Sequence, residues 1–474
     1  MAIASLRDSG GGRDKGLAAY RTDAGVLLRM AAPMALTYFL FIVNAVVDSL
    51  MAGQLDVVSL AAVSAGVAFW VPASVVLSGF LYLLSPRTAH LLGAEQEKEV
   101  GETLSQGLLV GLGGGVALGA LIWFASEPVF QAIAVDPVII PDAVAYIRWV
   151  ALGFPGAGLF FGLRFMMEGF GLPKVVTWVA ALSVVGNAVL NYGFMYGKFG
   201  LPAMGAPGCG VASAINLTLI SLIILLLSTR PPPFLKAWRQ VLAKPFPRLS
   251  GLREYLVSST PVAMNMLSDY AVLMVIALSI ATISAAAASA HQIAINALTL
   301  ALVIPVGISM AGTILLAQAK GQQDAKAMLR RILLGIVLIV VVSLVSALLL
   351  FFFAEKMALQ YTDDPEVVAL SVELVMIAVA ILTIDAVVIG ASFLLRGLGD
   401  MTGPFAITFG IHWGISLPVG YLLSSTTLLT DEMGAKGWWY GLGVGLCFGI
   451  VAVVLRMRSK FAAAVREQAE SERR

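Results

Sequence analysis

The sequence predicts an all-α integral membrane protein of twelve transmembrane helices in two parallel six-helix repeats. Three observations carry this: a charge-poor composition, twelve long apolar runs, and a repeat that shifts the chain by half its length. Of 474 residues, 59% are hydrophobic and 12% charged, with a mean hydropathy of +0.92. Soluble domains carry about 25% charged residues. The net charge of +2 is small and the basic residues are scattered, which excludes a nucleic-acid surface. Cys209 and Cys447 both sit in apolar segments without metal-site spacing and read as packing residues. The polar, Gly-rich first 20 residues and the long first apolar run do not fit a cleavable signal peptide.

A helix needs roughly 20 apolar residues to cross the bilayer core. Such segments fall at 25–51, 58–84, 104–125, 138–163, 174–197, 208–228, 254–282, 286–316, 332–354, 366–395, 402–426 and 437–457. Backbone polar groups in lipid must be satisfied within the span, so these are helices rather than barrel strands. Lys and Arg set the orientation. Residues 1–24 form a polar tail with Arg7, Arg13, Lys15 and Arg21. A linker at 229–253 carries six basic residues, Arg230, Lys236, Arg239, Lys244, Arg248 and Arg253. The eighth-to-ninth connection adds Lys320, Lys326, Arg330 and Arg331, and the tail from Arg456 carries six more. The opposite side holds only Arg148, Lys198, Lys356 and Lys436. Both termini are therefore expected in the cytoplasm, with 458–474 a solvated helix.

The chain repeats itself. Pro33 in "LRMAAPMAL" corresponds to Pro261 in "LVSSTPVAM", Gly93 to Gly321, and Gly169 in "MMEGFGLPK" to Gly397 in "LLRGLGDMT", each shifted by 228. "GAPGCG" and "GAKGWW" are shifted by 229. A duplicated six-helix unit follows, with lobes at 25–228 and 254–457. Six is even, so the halves share a topology and hold substrate between them. "RPPPF" stops the sixth helix.

Acids inside spans cost about 2.5–3.5 kcal/mol at the centre of an inserted helix, so Asp48, Asp269 and Asp385 are candidates for function. At about 1.5 Å per residue, Asp48 lies in the outer part of the first span. Asn187 and Asn191 in "VVGNAVLNY" share one face of the fifth, and Ser213 lies near the outer end of the sixth. One carboxylate, two amides and one hydroxyl at one level supply hard oxygen ligands for a small cation or a proton relay. The same residues could equally touch water or join helices by hydrogen bonds. Asp269 and Asp385 lie near mid-membrane in the second half, and a two-carboxylate site can hold either H⁺ or a metal cation. The acids do not obey the repeat: Asp48 corresponds to Ile276, Asp269 to Phe41 and Asp385 to Ala157.

Weaker candidates follow. His291, Gln292 and Asn296 occupy the first turns of the eighth span, where His291 could titrate or pack. Met264, Met266 and Met274 surround Asp269 as core filler or as an adaptable lining for lipophilic ligands. Arg148 and Glu373 lie in outer parts of spans and could form an ion pair. No P-loop, Gly-rich nucleotide motif or H-E-x-x-H is present. The expectation is therefore a carrier rather than an enzyme or ATP-driven pump, with no cofactor beyond the coupling ion.

The stretches "APMALTYFLFIVNAVVDSLMAG", "GNAVLNYGFMYG", "GAPGCGVASA", "SAHQIAINALTLALVIPVGIS" and "FLLRGLGDMTGP" together resemble the multidrug and toxic compound extrusion (MATE) family in its bacterial NorM-like branch, over roughly 25–457. The resemblance implies two lobes in a V around a central cleft. It also implies export of cationic, amphipathic compounds in exchange for H⁺ or Na⁺. It places the family's coupling positions on Asp48, Asn187, Asn191 and Ser213, and on Asp269 and Asp385. A Na⁺ would then sit at Asp48, Asn187 and Asn191 or at Asp269 and Asp385. Two positions depart from the pattern. Asp269 stands where glutamate is common, and Ile381 where some members have tyrosine, which leaves the second site less well furnished. A major facilitator transporter is disfavoured because "SPRTAHLLGAEQEKEVGE" lacks the expected Gly- and Arg-rich connection. An oligosaccharide-lipid flippase would need basic residues for a pyrophosphate. A channel would need a charged ring. A duplicated chain forms its site alone, so the partners are small organic cations and the bilayer, and a monomer suffices.

Overall fold

The computed structural model describes residues 13–132, 136–244, 246–425 and 433–471, with side chains from residue 18 onward. Among these residues all regular structure is helical, in the order α1 (Arg13–Leu55), α2 (Val57–Tyr82), α3 (Leu84–Gly93), α4 (Glu97–Ala132), α5 (Ile140–Gly169), α6 (Pro173–Tyr196), α7 (Ala206–Ser228), α8 (Pro232–Ala243), α9 (Leu249–Ala281), α10 (Ala285–Gly321), α11 (Ala325–Ala358), α12 (Pro365–Gly397), α13 (Thr402–Ile411), α14 (Leu417–Ser425) and α15 (Ala435–Ser471). Twelve candidate spans are found among the described residues.

The duplication is visible in the element bounds. Val57 and Ala285, and Glu97 and Ala325, start elements 228 residues apart. Pro173 and Thr402, and Ala206 and Ala435, start elements 229 apart. Several helices overrun the apolar runs because polar residues continue the backbone ladder beyond the lipid. The expected span 104–125 becomes α4 at Glu97–Ala132, and 332–354 becomes α11 at Ala325–Ala358. The expected N-terminal tail is helical from Arg13. The 229–253 connection contains α8, an amphipathic helix that starts after the proline run and buries Phe234, Ala237 and Val241. The eleventh span is interrupted by a π turn at His412–Ser416, where the Leu417 N–H reaches the His412 carbonyl. Such turns widen a helix by one residue and recur at functional sites.

The chain divides into two compact units. One comprises residues 36–264, the other residues up to 35 together with 265–474. The boundaries thus fall inside α1 and α9, close after Pro33 and Pro261, rather than in the 229–253 connection.

In the 36–264 unit, α5 packs against α4, α7 and α2. Small residues permit the approach: a Cβ on Gly158 would stand 1.8 Å from the Gly111 carbonyl oxygen, so α4 and α5 meet backbone to backbone. α8 docks on the start of α4, where Gln240 accepts from the Gly101 N–H at 3.0 Å and donates to the Glu97 carbonyl at 3.2 Å. In the other unit α10 packs on α12 and α11, and α15 on α14 and α12. The expected tail 458–474 continues α15 to Ser471, and Gln468 accepts from the Ala325 N–H at the start of α11 at 3.0 Å. Gln468 lies 228 residues after Gln240. α8 and the end of α15 are thus repeat counterparts, and only the first is cut from its span by prolines. At the start of α1, buried Asp23 pairs with Arg330 and Arg331 of α11.

Candidate functional site

Of residues 41–50 only Asp48 is buried, so α1 turns this acid inward within the 36–264 unit. The cause is a polar seam on α6 and α7. Ser183, Asn187 and Asn191 recur at fourth positions and share one face of α6. Asn187 and Asn191 both donate from Nδ2 to Asp48 Oδ1, at 2.5 and 2.6 Å. Ser183 accepts from Asn216 of α7 at 2.9 Å. The Cys209 thiol, also on α7, hydrogen-bonds to Asp48, and the Ser213 hydroxyl reaches the same sulfur rather than the carboxylate. Tyr146 of α5 adjoins the pair and accepts from Trp70 Nε1 at 3.1 Å. A Cβ on Gly66 would stand 2.3 Å from the Tyr146 ring, so only glycine lets α2 close over it.

Every recorded hydrogen-bond partner of Asp48 is neutral. The amide oxygens of Asn187 and Asn191 are buried without a hydrogen-bond partner. So is that of Asn44, one turn before Asp48 on the same helix. The arrangement offers one carboxylate and three amide oxygens. As placed, the α6 amides turn N–H groups to the carboxylate; a half-turn of each amide would present oxygens instead. That donor set fits a small hard cation. Among the described residues no group of three His, Cys, Asp or Glu could hold a metal, so a ligand set of that kind is not offered.

The second cluster lies in the unit of residues 265–474. Asn265 on α9 donates to Asp269 Oδ2 at 2.9 Å and to Thr408 Oγ1 at 2.7 Å. Its own oxygen accepts from Arg396 of α12 at 2.7 Å. Arg396 is buried and lies 4.9 Å over the Phe393 ring. Both Arg396 and Asp385 are within electrostatic reach of Asp269. Asp269 is exposed and Asp385 half-buried.

The remaining candidates separate. His291 is buried and accepts from Trp439 Nε1 at 3.2 Å, with the rings edge to face. Gln292 and Asn296 are exposed and bond each other at 3.0 Å. Met264 is exposed and Met266 half-buried. Arg148 pairs with Glu127 at 2.8 Å and Glu373 with Lys436 at 3.0 Å, so the expected Arg148–Glu373 pair is replaced by two others. Sequence reasoning read Cys209 as a packing residue, whereas its thiol bonds Asp48, and passed over Asn44, Asn265 and Arg396. For each, an i, i+4 spacing or a repeat position was available as a signal: Cys209 to Ser213, Asn44 to Asp48, Asn265 to Asp269, and Arg396 opposite Glu168 in the repeat.

The MatE family model matches residues 33–193 and 261–422, two blocks whose starts lie 228 residues apart. The chain is 32% identical over 448 residues to "Multidrug resistance protein MdtK" of Yersinia pseudotuberculosis, covering 93% of this chain and 96% of that protein. It is 30% identical over 444 residues to "Multidrug resistance protein NorM" of Photobacterium profundum, covering 93% and 96%. Among solved structures it resembles a MATE in the bent conformation, with a TM-score of 0.85 at 18% identity over 99% of each chain. It also resembles the eukaryotic MATE transporter AtDTX14, with a TM-score of 0.82 at 18% identity over 95% of this chain and 99% of that one. The chain is a member of the MatE family, and so a multi-pass membrane transporter of the MATE type.

Proposed function

We propose that this transporter is a secondary active multidrug efflux antiporter of the bacterial inner membrane. It exports cationic amphipathic compounds in exchange for H⁺ or Na⁺ by alternating access, with both termini in the cytoplasm. The observation that carries this is the neutral shell of Asp48. A buried carboxylate whose hydrogen-bond partners among the described residues are all uncharged has no fixed countercharge among them, and burying such a charge is costly. A mobile cation meets that need: a proton on the carboxyl, or Na⁺ against the carboxylate and the amide oxygens of Asn44, Asn187 and Asn191. An ion that binds Asp48 better in one conformation shifts the equilibrium toward it by that difference in affinity. Asp269 and Asp385 serve the organic cation or a second coupling step. The names of the relatives from Yersinia and Photobacterium support multidrug export, and one chain suffices for transport.

The test is efflux of ethidium from proteoliposomes under an inward pH gradient alone and an inward Na⁺ gradient alone. One gradient should drive efflux in the wild type, and neither should in Asp48→Asn. Equal transport by the variant would remove Asp48 from the coupling site. Failure of both gradients in the wild type would remove the antiport assignment.

A further inference from the structure

A second polar site lies in the 36–264 unit, away from the Asp48 cluster. The C-terminal part of α4 and the first turns of α5 line an open pocket of about 440 Å³. Trp123, Glu127, Val144, Arg148, Trp149 and Leu152 line it. Arg148 donates from Nη2 to Glu127 at 2.8 Å, with the two side chains 38% and 48% exposed, so the pair is open to a ligand. The guanidinium also sits 5.8 Å over the Trp123 ring. Its Nε is buried and has no hydrogen-bond partner. One donor of the guanidinium fork is therefore aimed into protein with nothing to receive it.

The cavity lies where helices begin and end, and tryptophans favour that level of the bilayer because the ring is apolar and its N–H is wet. An acid and a base side by side, beside the Trp123 ring and between Val144 and Leu152 along α5, match one kind of occupant by charge. It carries a phosphate and an ammonium a few bonds apart, with an acyl chain below. We propose that this cavity binds the headgroup of an ammonium-bearing phospholipid such as phosphatidylethanolamine. Its phosphate accepts from the exposed nitrogens of the Arg148 guanidinium, and its ammonium donates to Glu127. A guanidinium suits the phosphate because its fork presents two parallel donors. The primary ammonium suits Glu127 because it brings N–H donors to a carboxylate partly released by the phosphate. The inference is independent of antiport and of Asp48.

The experiment uses full-length protein stripped of lipid in detergent. It is titrated with dioctanoyl phosphatidylethanolamine and, separately, dioctanoyl phosphatidylglycerol, with lipid adducts read by native mass spectrometry. Wild type should retain one phosphatidylethanolamine at lower lipid concentration than phosphatidylglycerol. Arg148→Gln should weaken both about tenfold, the loss expected for one charge-assisted contact. Glu127→Gln changes no volume at a half-exposed position, so its folding is not at risk. It should erase the preference for phosphatidylethanolamine while sparing phosphatidylglycerol. Unchanged adducts in Arg148→Gln would overturn the proposal. Equal binding of both lipids by wild type would overturn the ammonium assignment. Binding of ethidium in place of either lipid, lost in Glu127→Gln, would make the cavity an organic-cation site and overturn it as well.

Discussion

The two acid clusters differ in one respect that outweighs their likeness. Asp48 is surrounded by Asn187, Asn191 and Cys209, none of them charged. Asp269 is held by Asn265, whose oxygen is gripped in turn by the guanidinium of Arg396. One carboxylate has only neutral hydrogen-bond partners; the other has a resident cation two hydrogen bonds away. A single fold, duplicated, has thus come to hold an acid among neutral partners and an acid linked to a guanidinium. Glu168 and Arg396 make the same point, since they are buried residues of opposite charge at equivalent places in the repeat.

The largest effect should come from Asp48→Asn. Coupled efflux should vanish, while the protein keeps or gains thermal stability, because an uncompensated buried carboxylate has been removed. A coupled rate within a few-fold of wild type would erase the contrast. Next comes Arg396→Gln. It removes a hydrogen bond from a charged donor, about 1.5–3 kcal/mol, and should lower the unfolding temperature in detergent while leaving the identity of the coupling ion unchanged. A switch of coupling ion would show that the second cluster holds it.

Asn191→Ala should weaken the coupling ion about tenfold, equivalent to about 1.4 kcal/mol, read as the Na⁺ or H⁺ concentration giving half-maximal efflux. Asn265→Ala should not shift that concentration. Cys209→Ser keeps a donor and should be mild, whereas Cys209→Val should cost about 0.5–1.5 kcal/mol of ion affinity.

The smallest effect belongs to Asp400, in the α12–α13 turn, a carboxylate with fixed partners of its own. Burial alone would raise its carboxyl. The bond from Arg456 at 2.6 Å and the Gly403 N–H at 3.0 Å outweigh that and hold it below the usual carboxylate range. Its contribution is therefore present above the unfolded value of about 3.9 and is lost as pH falls through the lower folded value. Asp400→Asn should cost about 1 kcal/mol, because Arg456 is partly exposed, and that cost should fade below pH 4 in thermal melts.

Most of the fold was legible because lipid demands about 20 apolar residues per span and a shift of 228 or 229 repeats across four stretches. The meeting of Asp48, Asn187 and Asn191 was legible too, since an acid and an i, i+4 amide pair were placed at one depth. Ser213 was legible only in part, because its hydroxyl stops at the Cys209 sulfur. Cys209 was hidden because a thiol reads as apolar until a carboxylate stands beside it. Arg396 was hidden inside "LLRGLGD", a stretch whose glycines drew attention to the backbone. α8 was hidden because the prolines that end α7 also start the next helix, at N1 positions where proline is tolerated.

The boundaries near Pro33 and Pro261 carry a consequence for anyone dividing this chain into fragments. A cut in the 229–253 connection would look natural on a hydropathy plot. The first fragment would then keep the opening stretch of α1, whose Asp23 belongs with Arg330 and Arg331. The second would keep residues 249–264 of α9, whose Tyr255 hydroxyl belongs with the Phe80 carbonyl. Neither piece would contain a complete unit, so reassembly of co-expressed halves would require each to take back from the other half a helix that it cannot replace.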